Sequence, residues 1–141
     1  MIIVVSGGFD PLHSGHINMF KQARTMGSVW AIINTDKWLQ RKKGYNVLSY
    51  SERSLIVESN KYIDKIIKGM DDDDTVVKNL QCLCKDKIKF AFANGGDRIP
   101  TSTPEMDYCF EHNIPMLFNI GGTKTESSSK IVRNLLDQAT K

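Results

Sequence analysis

Cysteine pairs and long apolar runs are both missing from this sequence. Its 141 residues include three cysteines, Cys82, Cys84 and Cys109, an odd number without the spacing of a four-ligand zinc site. This pattern does not favour a disulfide framework or a zinc knuckle, and it is typical of reduced thiols in a cytosol. No apolar run approaches the roughly 18 residues of a membrane helix, so we expect a cytoplasmic protein without a membrane partner.

A strong excess of one charge is missing as well. The chain has 19 Lys and Arg residues against 16 Asp and Glu residues, a formal net charge of +3, and the basic residues are scattered among the acids. Proteins that bind nucleic acid collect phosphates with a basic stripe or patch, so we expect no nucleic-acid partner. The acidic run, residues 71–74, is interpreted as a solvated turn and helix N-cap, with a cation site as the alternative.

Short apolar runs alternate with segments of helical periodicity along the chain. The runs predict strands at residues 2–5, 29–34, 63–67, 88–93 and 115–120. The segments between and after them predict helices at residues 14–26, 51–60, 75–84, 103–112 and 128–139. Strands that alternate with helices form a parallel sheet covered on both faces. The sequence therefore predicts an α/β fold, a Rossmann-like open parallel sheet of five strands in a single domain over residues 1–141.

Two stretches resist a regular assignment, residues 35–50 and residues 95–105. Each follows the carboxyl end of a predicted strand, which is where open α/β sheets bind their ligands. We predict that both are irregular loops at a binding site.

The stretch GGFDPLHSGHINMF, residues 7–20, joins the first predicted strand to the first predicted helix. Gly7 and Gly8 allow the backbone to approach a ligand, and the helix N-terminus offers unpaired N–H groups, a combination that suits phosphate. His13 and His16 add ring N–H donors that stabilise charge on phosphate oxygens during transfer. A helix cap is the structural alternative for these histidines, and a metalloprotease-type zinc site is disfavoured because its histidine spacing and glutamate are missing.

Residues 7–23, GGFDPLHSGHINMFKQA, resemble the signature of the nucleotidyltransferase superfamily that shares H-x-G-H with class I aminoacyl-tRNA synthetases. The resemblance is narrower to its cytidylyltransferase-like branch, and within that branch to glycerol-phosphate cytidylyltransferases. Four further segments match the branch in the same order: TDKWLQRKKGY, YSERSLIVESNKYIDKII, FANGGDR and SSSKIVRNL.

The resemblance implies an enzyme that transfers a nucleotidyl group from CTP to a small phosphorylated alcohol or sugar and releases pyrophosphate, with Mg²⁺ carried by the triphosphate. It implies that His13 and His16 contact the phosphates and stabilise the transition state. Gly7, Gly8 and Phe9 would present backbone to the nucleotide. Asp10 would hold the loop or help with metal.

The resemblance also assigns roles to cationic residues. Lys42 or Lys43 matches the loop lysine that reaches substrate phosphate, the alternative being two exposed lysines on a mobile loop. Arg53 matches the family's E-R arginine, which either grips a phosphate or pairs with Glu52 to fix the helix. The family's R-T-E-G-I-S-T-T string has no arginine here, and we hypothesise that Lys124 replaces its charge.

Two glycine- or serine-rich turns complete the resemblance. Gly95, Gly96 and Asp97 match a turn expected near the ribose or base of the nucleotide. Ser127, Ser128 and Ser129 open the last predicted helix and form a second phosphate cradle. Residues 98–109 match neither family pattern well, and we hypothesise that they shape the acceptor pocket or a subunit contact. A helix-capping role for Thr103, Pro104 and Glu105 is the alternative.

Three functions remain open from the sequence. The Gly-Gly-Asp turn looks more like the adenylyltransferases that act on heptose phosphates, so an ATP-dependent sugar-phosphate adenylyltransferase is the alternative enzyme. A non-catalytic nucleotide-binding regulator is the alternative from another class. The resemblance implies a homodimer, whichever of these functions the protein has.

Overall fold

The computed structural model describes residues 1–93, 103–118, 120–121 and 127–140. The predicted roles of Gly95, Gly96, Asp97 and Lys124 lie outside these residues. The strands are β1 (Ile2–Gly7), β2 (Ser28–Ile33), β3 (Lys65–Lys68), β4 (Phe90–Ala93) and β5 (Met116–Leu117). The helices are α1 (Ser14–Arg24), α2 (Asp36–Lys43), α3 (Tyr50–Glu58), α4 (Val77–Lys85), α5 (Pro104–Glu111) and α6 (Ser128–Ala139).

The strands form one parallel sheet of five strands in the order β3-β2-β1-β4-β5. The chain runs outward from β1 through β2 to β3, then returns to the other side of β1 for β4 and β5. The strand order reverses beside β1, and the crevice at such a switch point is where open α/β sheets bind ligands. This architecture confirms the predicted Rossmann-like fold class.

Alternate residues of β1 face opposite sides of the sheet, as the pleat requires. Ile3 and Val5 belong to a core that includes Phe20 of α1 and Val57 of α3. Val4 belongs to a second core, with residues of α4 and α5. Because helices cover both faces, β1 is buried on both, which explains its continuous apolar sequence. None of the helices in the described ranges combines the length and apolarity that a bilayer crossing requires.

The prediction of an irregular loop over residues 35–50 is wrong, because α2 occupies half of it. Thr35 caps this helix through its hydroxyl, which accepts the N–H of Trp38 at 3.2 Å. Gly44 ends the helix in the left-handed conformation, with φ of 85°. Leu39 is the one buried residue of α2, so the sequence carries no apolar periodicity by which the helix could be recognised.

The acidic run is a turn, but its first residue is not solvated. Asp71 is 1% exposed, and its carboxylate accepts hydrogen bonds from Asn34 and Thr35 at the carboxyl end of β2. The run also does not cap α4, whose N-cap residue is Val76. The N–H of Val76 instead donates to Glu105 Oε1 at 3.1 Å. The interpretation as a solvated helix cap is therefore wrong for Asp71.

Candidate active site

The two histidines cap the helix that follows β1. His13 is the N-cap residue of α1, and its Nδ1 accepts the backbone N–H of Gly15 at 3.1 Å. In return, Nδ1 of His16 accepts the backbone N–H of His13 at 3.2 Å. This is a reciprocal capping box in which imidazole nitrogens take the places of the usual hydroxyl and carboxyl oxygens. The capping alternative for these residues is confirmed.

Capping also fixes which ring nitrogen carries the proton. Because Nδ1 accepts a hydrogen bond in both rings, we assign the neutral tautomer with its proton on Nε2. The centroids of His13 and His16 lie 3.8 Å apart, and Phe9 contacts His16 edge-on with centroids 5.1 Å apart. The arrangement orders the two imidazoles as one pair at the N-terminus of α1.

Packing explains part of the glycine-rich turn before the histidines. A Cβ atom on Gly8 would lie 2.8 Å from Cδ2 of Leu39, the buried residue of α2. Phe9 is 2% exposed and has a left-handed φ of 51°, which costs free energy in a residue other than glycine. Its ring packs against Phe20 with centroids 5.5 Å apart. The turn is thus held close to both α1 and α2.

Asp10 anchors the segment that follows α2. The residue is 2% exposed. Its Oδ2 accepts the N–H of Val47 at 2.6 Å, and its Oδ1 accepts the N–H of Leu48 at 2.7 Å. Of the two predicted roles for Asp10, the structure confirms the one that holds a loop.

Arg53 lies at the centre of the site and is completely buried. Its side chain is 0% exposed. Nη1 donates to the carbonyl oxygens of Gly8 at 2.8 Å and Asn34 at 2.7 Å. Nε donates to the carbonyl oxygen of Leu48 at 3.0 Å, and Nη2 donates to Oδ1 of Asp36 at 2.7 Å. One guanidinium therefore ties together the segments after β1, after β2 and before α3.

This environment corrects the prediction for Arg53. Its carboxylate partner is Asp36, at the first turn of α2, and the predicted pairing with Glu52 is wrong. Protein oxygens surround this buried guanidinium. We therefore expect Arg53 to position the loops of the site and not to bind a ligand phosphate. Burial raises the pKa of the neighbouring Tyr50, and the charge of Arg53 acts on that pKa in the opposite direction.

Lys42 and Lys43 lie in the last turn of α2 and are exposed. Their exposure agrees with the structural alternative, but they lie on a helix and not on a loop. Nζ of Lys42 lies 6.0 Å from the ring centroid of Trp38. The two lysines thus extend from an element that begins at the carboxyl end of β2, the ligand-binding edge of the sheet.

The serine-rich turn meets the histidine loop directly. Ser127 is the N-cap residue of α6, and its Oγ accepts the N–H of Lys130 at 3.1 Å. Oγ of Ser128 donates to the carbonyl oxygen of Pro11 at 3.0 Å, whereas Ser129 is exposed. The N-terminus of α6 therefore lies against the loop that leads into α1, and each of the two helices has N–H groups and the positive end of a helix dipole at its N-terminus.

Three residues of the site escaped sequence reasoning. Asp36 pairs with Arg53, Asn46 donates to Asp36 Oδ1 at 3.4 Å, and Asp71 holds Thr35. The threonine-aspartate pair at positions 35 and 36 is a helix-start signal that could have revealed α2. The long-range partners of Asn46 and Asp71 have no local signature.

The expected Mg²⁺ can be compared with the side chains that the site offers. Among the residues described, no group of three or more His, Cys, Asp or Glu side chains is arranged to hold a metal ion. Mg²⁺ commonly keeps its waters and binds through substrate phosphates, so it requires no protein cage. Each carboxylate oxygen of Asp10 already accepts a backbone hydrogen bond.

Comparisons with known proteins agree with the fold and with the position of the histidine pair. The model of the family described as cytidylyltransferase-like matches residues 4–134. The chain is 40% identical to a glycerol-3-phosphate cytidylyltransferase of Bacillus subtilis over 46% of this chain and 51% of that protein. It is 34% identical to an FAD synthase of Archaeoglobus fulgidus over 50% of this chain and 51% of that protein. The alignments thus span about half of each relative.

A solved structure supports the fold independently. The lipopolysaccharide core biosynthesis protein from Thermoplasma volcanium superposes with a TM-score of 0.64 at 18% identity. The superposition covers 84% of this chain and 93% of that one. Because the family model spans nearly the whole chain and includes both histidines, the chain belongs to the cytidylyltransferase-like family.

Proposed function

We propose that this protein transfers a cytidylyl group from CTP to a small phosphorylated alcohol of the glycerol 3-phosphate type and releases pyrophosphate. One observation carries the proposal: the N-terminus of α6 lies against the loop that leads from β1 into α1 and its His13–His16 pair, at the switch point of the sheet. Two helix N-termini with adjacent ring donors form a site for a polyanion. The relative named as a glycerol-3-phosphate cytidylyltransferase supports the choice of nucleotide and acceptor.

The proposed reaction is an in-line displacement at phosphorus. A phosphate oxygen of the acceptor attacks the α-phosphorus of CTP, the bond from that phosphorus to the bridging oxygen breaks, and pyrophosphate leaves. The protein forms no covalent bond to the nucleotide. Its contribution is positioning and electrostatic stabilisation of the transition state.

Each residue of the site has a defined part in this proposal. The Nε2–H groups of His13 and His16 donate to phosphate oxygens as negative charge develops there. Ser127, Ser128 and Ser129 present the N-terminus of α6 to the triphosphate. Arg53 and Asp10 shape the loops and do not touch the reacting atoms.

Two further groups serve the substrates. Lys42 and Lys43 bind the phosphate of the acceptor. From the family resemblance we assign Gly95, Gly96 and Asp97 to recognition of the ribose or base, and Lys124 to the charge of the arginine that the family's string contains; all four lie outside the described residues. When bound with CTP, Mg²⁺ neutralises charge on the triphosphate. The homodimer remains a prediction from the family resemblance, and the cytoplasmic location remains a prediction from the cysteine content and the short apolar runs.

Pyrophosphate release tests the proposal. The purified protein is incubated with Mg²⁺ and either CTP or ATP, together with glycerol 3-phosphate, phosphoethanolamine, phosphocholine or a sugar 1-phosphate. Turnover with CTP and glycerol 3-phosphate is the expected result. Turnover with ATP and a sugar phosphate would establish the adenylyltransferase instead, and tight triphosphate binding without product for any acceptor would favour a regulator.

A further inference from the structure

Helix α2, which carries Lys42 and Lys43, cannot be stable by itself. It has 8 residues, and Leu39 is its buried residue. Isolated helices shorter than about 12 residues are marginal in water. Contacts from outside the helix must therefore fix the positions of its lysines.

The acidic run provides those contacts along one side of α2. Thr35, Trp38 and Arg41 follow a spacing of three residues and so share a side of the helix. The N–H and Oγ1 of Thr35 donate to the carboxylate of Asp71 at 2.9 and 2.7 Å. Nε1 of Trp38 donates to the carbonyl oxygen of Asp74 at 3.2 Å. The run thus contacts the beginning and the middle of the helix.

Arg41 joins the last part of α2 to the same run. Its Nε donates to Oδ1 of Asp74 at 2.8 Å, and its Nη2 donates to the carbonyl oxygen of Asp71 at 2.8 Å. Lys42 is the next residue along the chain, and Lys43 follows it. A guanidinium with two bonds in different directions restrains rotation of the helix as well as its distance from the run.

The acidic run is itself firmly attached to the sheet. Asp71 is 1% exposed and also accepts Nδ2 of Asn34 at 3.1 Å. The N–H of Gly69 donates to the carbonyl oxygen of Ile33 at 2.8 Å, which fixes the start of the segment to the end of β2. The N–H of Asp74 donates back to Asp71 at 3.0 Å and closes the turn. The run is therefore a rigid support for α2.

We propose that the acidic run positions the lysines of α2 for the phosphorylated acceptor, with Arg41 and Asp74 as positioning residues. The proposal rests on the proposed function, because it assigns Lys42 and Lys43 to that substrate. It adds a role for a segment that lies outside the phosphate-binding turns. Neither Arg41 nor Asp74 contacts substrate in this account.

Neutralising Asp74 tests the proposal, and the run contains its own control. Asp74→Asn removes the charge that binds Arg41, and asparagine tolerates the φ of 67° at this position. Asp73→Asn removes the same charge one residue earlier, where the carboxylate accepts from Thr75. Both variants lose one negative charge, so any long-range effect of that charge is the same in both. A difference between them therefore reports the contact of Asp74 with α2.

We expect Asp74→Asn to weaken binding of the acceptor and to leave binding of CTP unchanged. Asp74→Asn should raise the KM for the acceptor about 3- to 5-fold, the upper part of the range for an exposed ion pair, with kcat and the KM for CTP within about 2-fold of the wild type. The effect should vanish in a Lys42→Ala/Lys43→Ala background. Acceptor KM values equal in Asp74→Asn and Asp73→Asn, or an undiminished effect without the lysines, would overturn the proposal.

Hydrogen–deuterium exchange separates this inference from the proposed function. Amides of α2 should exchange at least 5-fold faster in Asp74→Asn than in Asp73→Asn, because local opening of the helix becomes easier. Absence of transfer in the wild type with every nucleotide and acceptor would overturn the proposed function. Equal exchange rates in the two variants would overturn the supporting role of the acidic run, whether or not transfer is observed.

Discussion

Nη2 of Arg53 donates to Oδ1 of Asp36 at 2.7 Å, and this pair joins the middle of α3 to the first turn of α2. The two side chains differ in environment, because that of Arg53 is 0% exposed and that of Asp36 is 37% exposed. The arginine thus depends wholly on protein oxygens, whereas the aspartate keeps contact with solvent. The guanidinium is the structural centre around which the loops of the site are arranged.

Replacing this guanidinium should destabilise the protein. Arg53→Met keeps much of the buried volume but leaves the carbonyl oxygens of Gly8, Asn34 and Leu48 without their donor. We expect the free energy of unfolding to fall by about 3 kcal/mol, at the low end for a broken buried pair because Asp36 remains partly hydrated. Urea unfolding measures this change in free energy, and Arg133→Met, at an exposed arginine, is the control. A loss below about 1 kcal/mol would contradict the central role of Arg53.

Asp10→Asn tests the loop anchor. The amide can accept only one of the two N–H groups of Val47 and Leu48 that the carboxylate now accepts. Charge-assisted hydrogen bonds of this kind contribute about 1.5–3 kcal/mol, so a loss of about 2 kcal/mol in the free energy of unfolding is expected. Hydrogen exchange should accelerate more at Val47 and Leu48 than in β2, whose amides follow only the loss of global stability. Unchanged exchange at both amides would show that Asp10 does not hold this segment.

Burial of a thiol predicts an alkaline limit to stability. Burial, with smaller contributions from Cys84 and Glu105, raises the pKa of Cys109 from 9.0 to about 11. The folded state then retains a proton that the unfolded state loses, so this contribution to stability declines as pH rises from about 9 to about 11. Unfolding free energies measured across that range should fall less steeply for Cys109→Ala than for the wild type. Equal slopes of unfolding free energy against pH in the two proteins would refute the raised pKa of Cys109.

The sequence predicted the sheet well because its central strands are buried on both faces. Residues of β1 and β4 are continuous apolar runs, and such runs admit few interpretations once helices alternate with them. Edge strands were less predictable. The prediction of a strand over residues 115–120 overstated β5, which in the described part of the chain is assigned to Met116–Leu117, because apolar character alone does not determine where a strand ends.

The site was predictable where its signal is local. The turn from Gly7 to His16 carries its chemistry in consecutive residues, so its place after β1 followed from the sequence. Three of the four oxygen partners of Arg53 lie 17 to 45 residues away in the chain. The residues that donate to the carboxylate of Asp71 lie 36 to 37 residues away. No periodicity encodes such contacts, and a buried arginine was therefore interpreted as a ligand-binding one.

The proposed function depends most directly on the donors of the histidine pair. His13→Asn tests these donors separately from the helix cap. Asparagine is a favoured N-cap residue whose side chain accepts the same backbone N–H, but it has no counterpart of the Nε2–H group. The free energy of unfolding should therefore change by less than about 1 kcal/mol. His112→Asn, at an exposed histidine at the end of α5, is the control.

The decisive measurement is kcat for pyrophosphate release from CTP with the acceptor that the wild-type protein uses. We predict that kcat falls about 100- to 1,000-fold in His13→Asn, the typical loss when one donor to a transition-state oxyanion is removed, and is unchanged in His112→Asn. A folded His13→Asn protein with kcat within about 3-fold of the wild type would contradict the account, because α1 would then need His13 only as its cap.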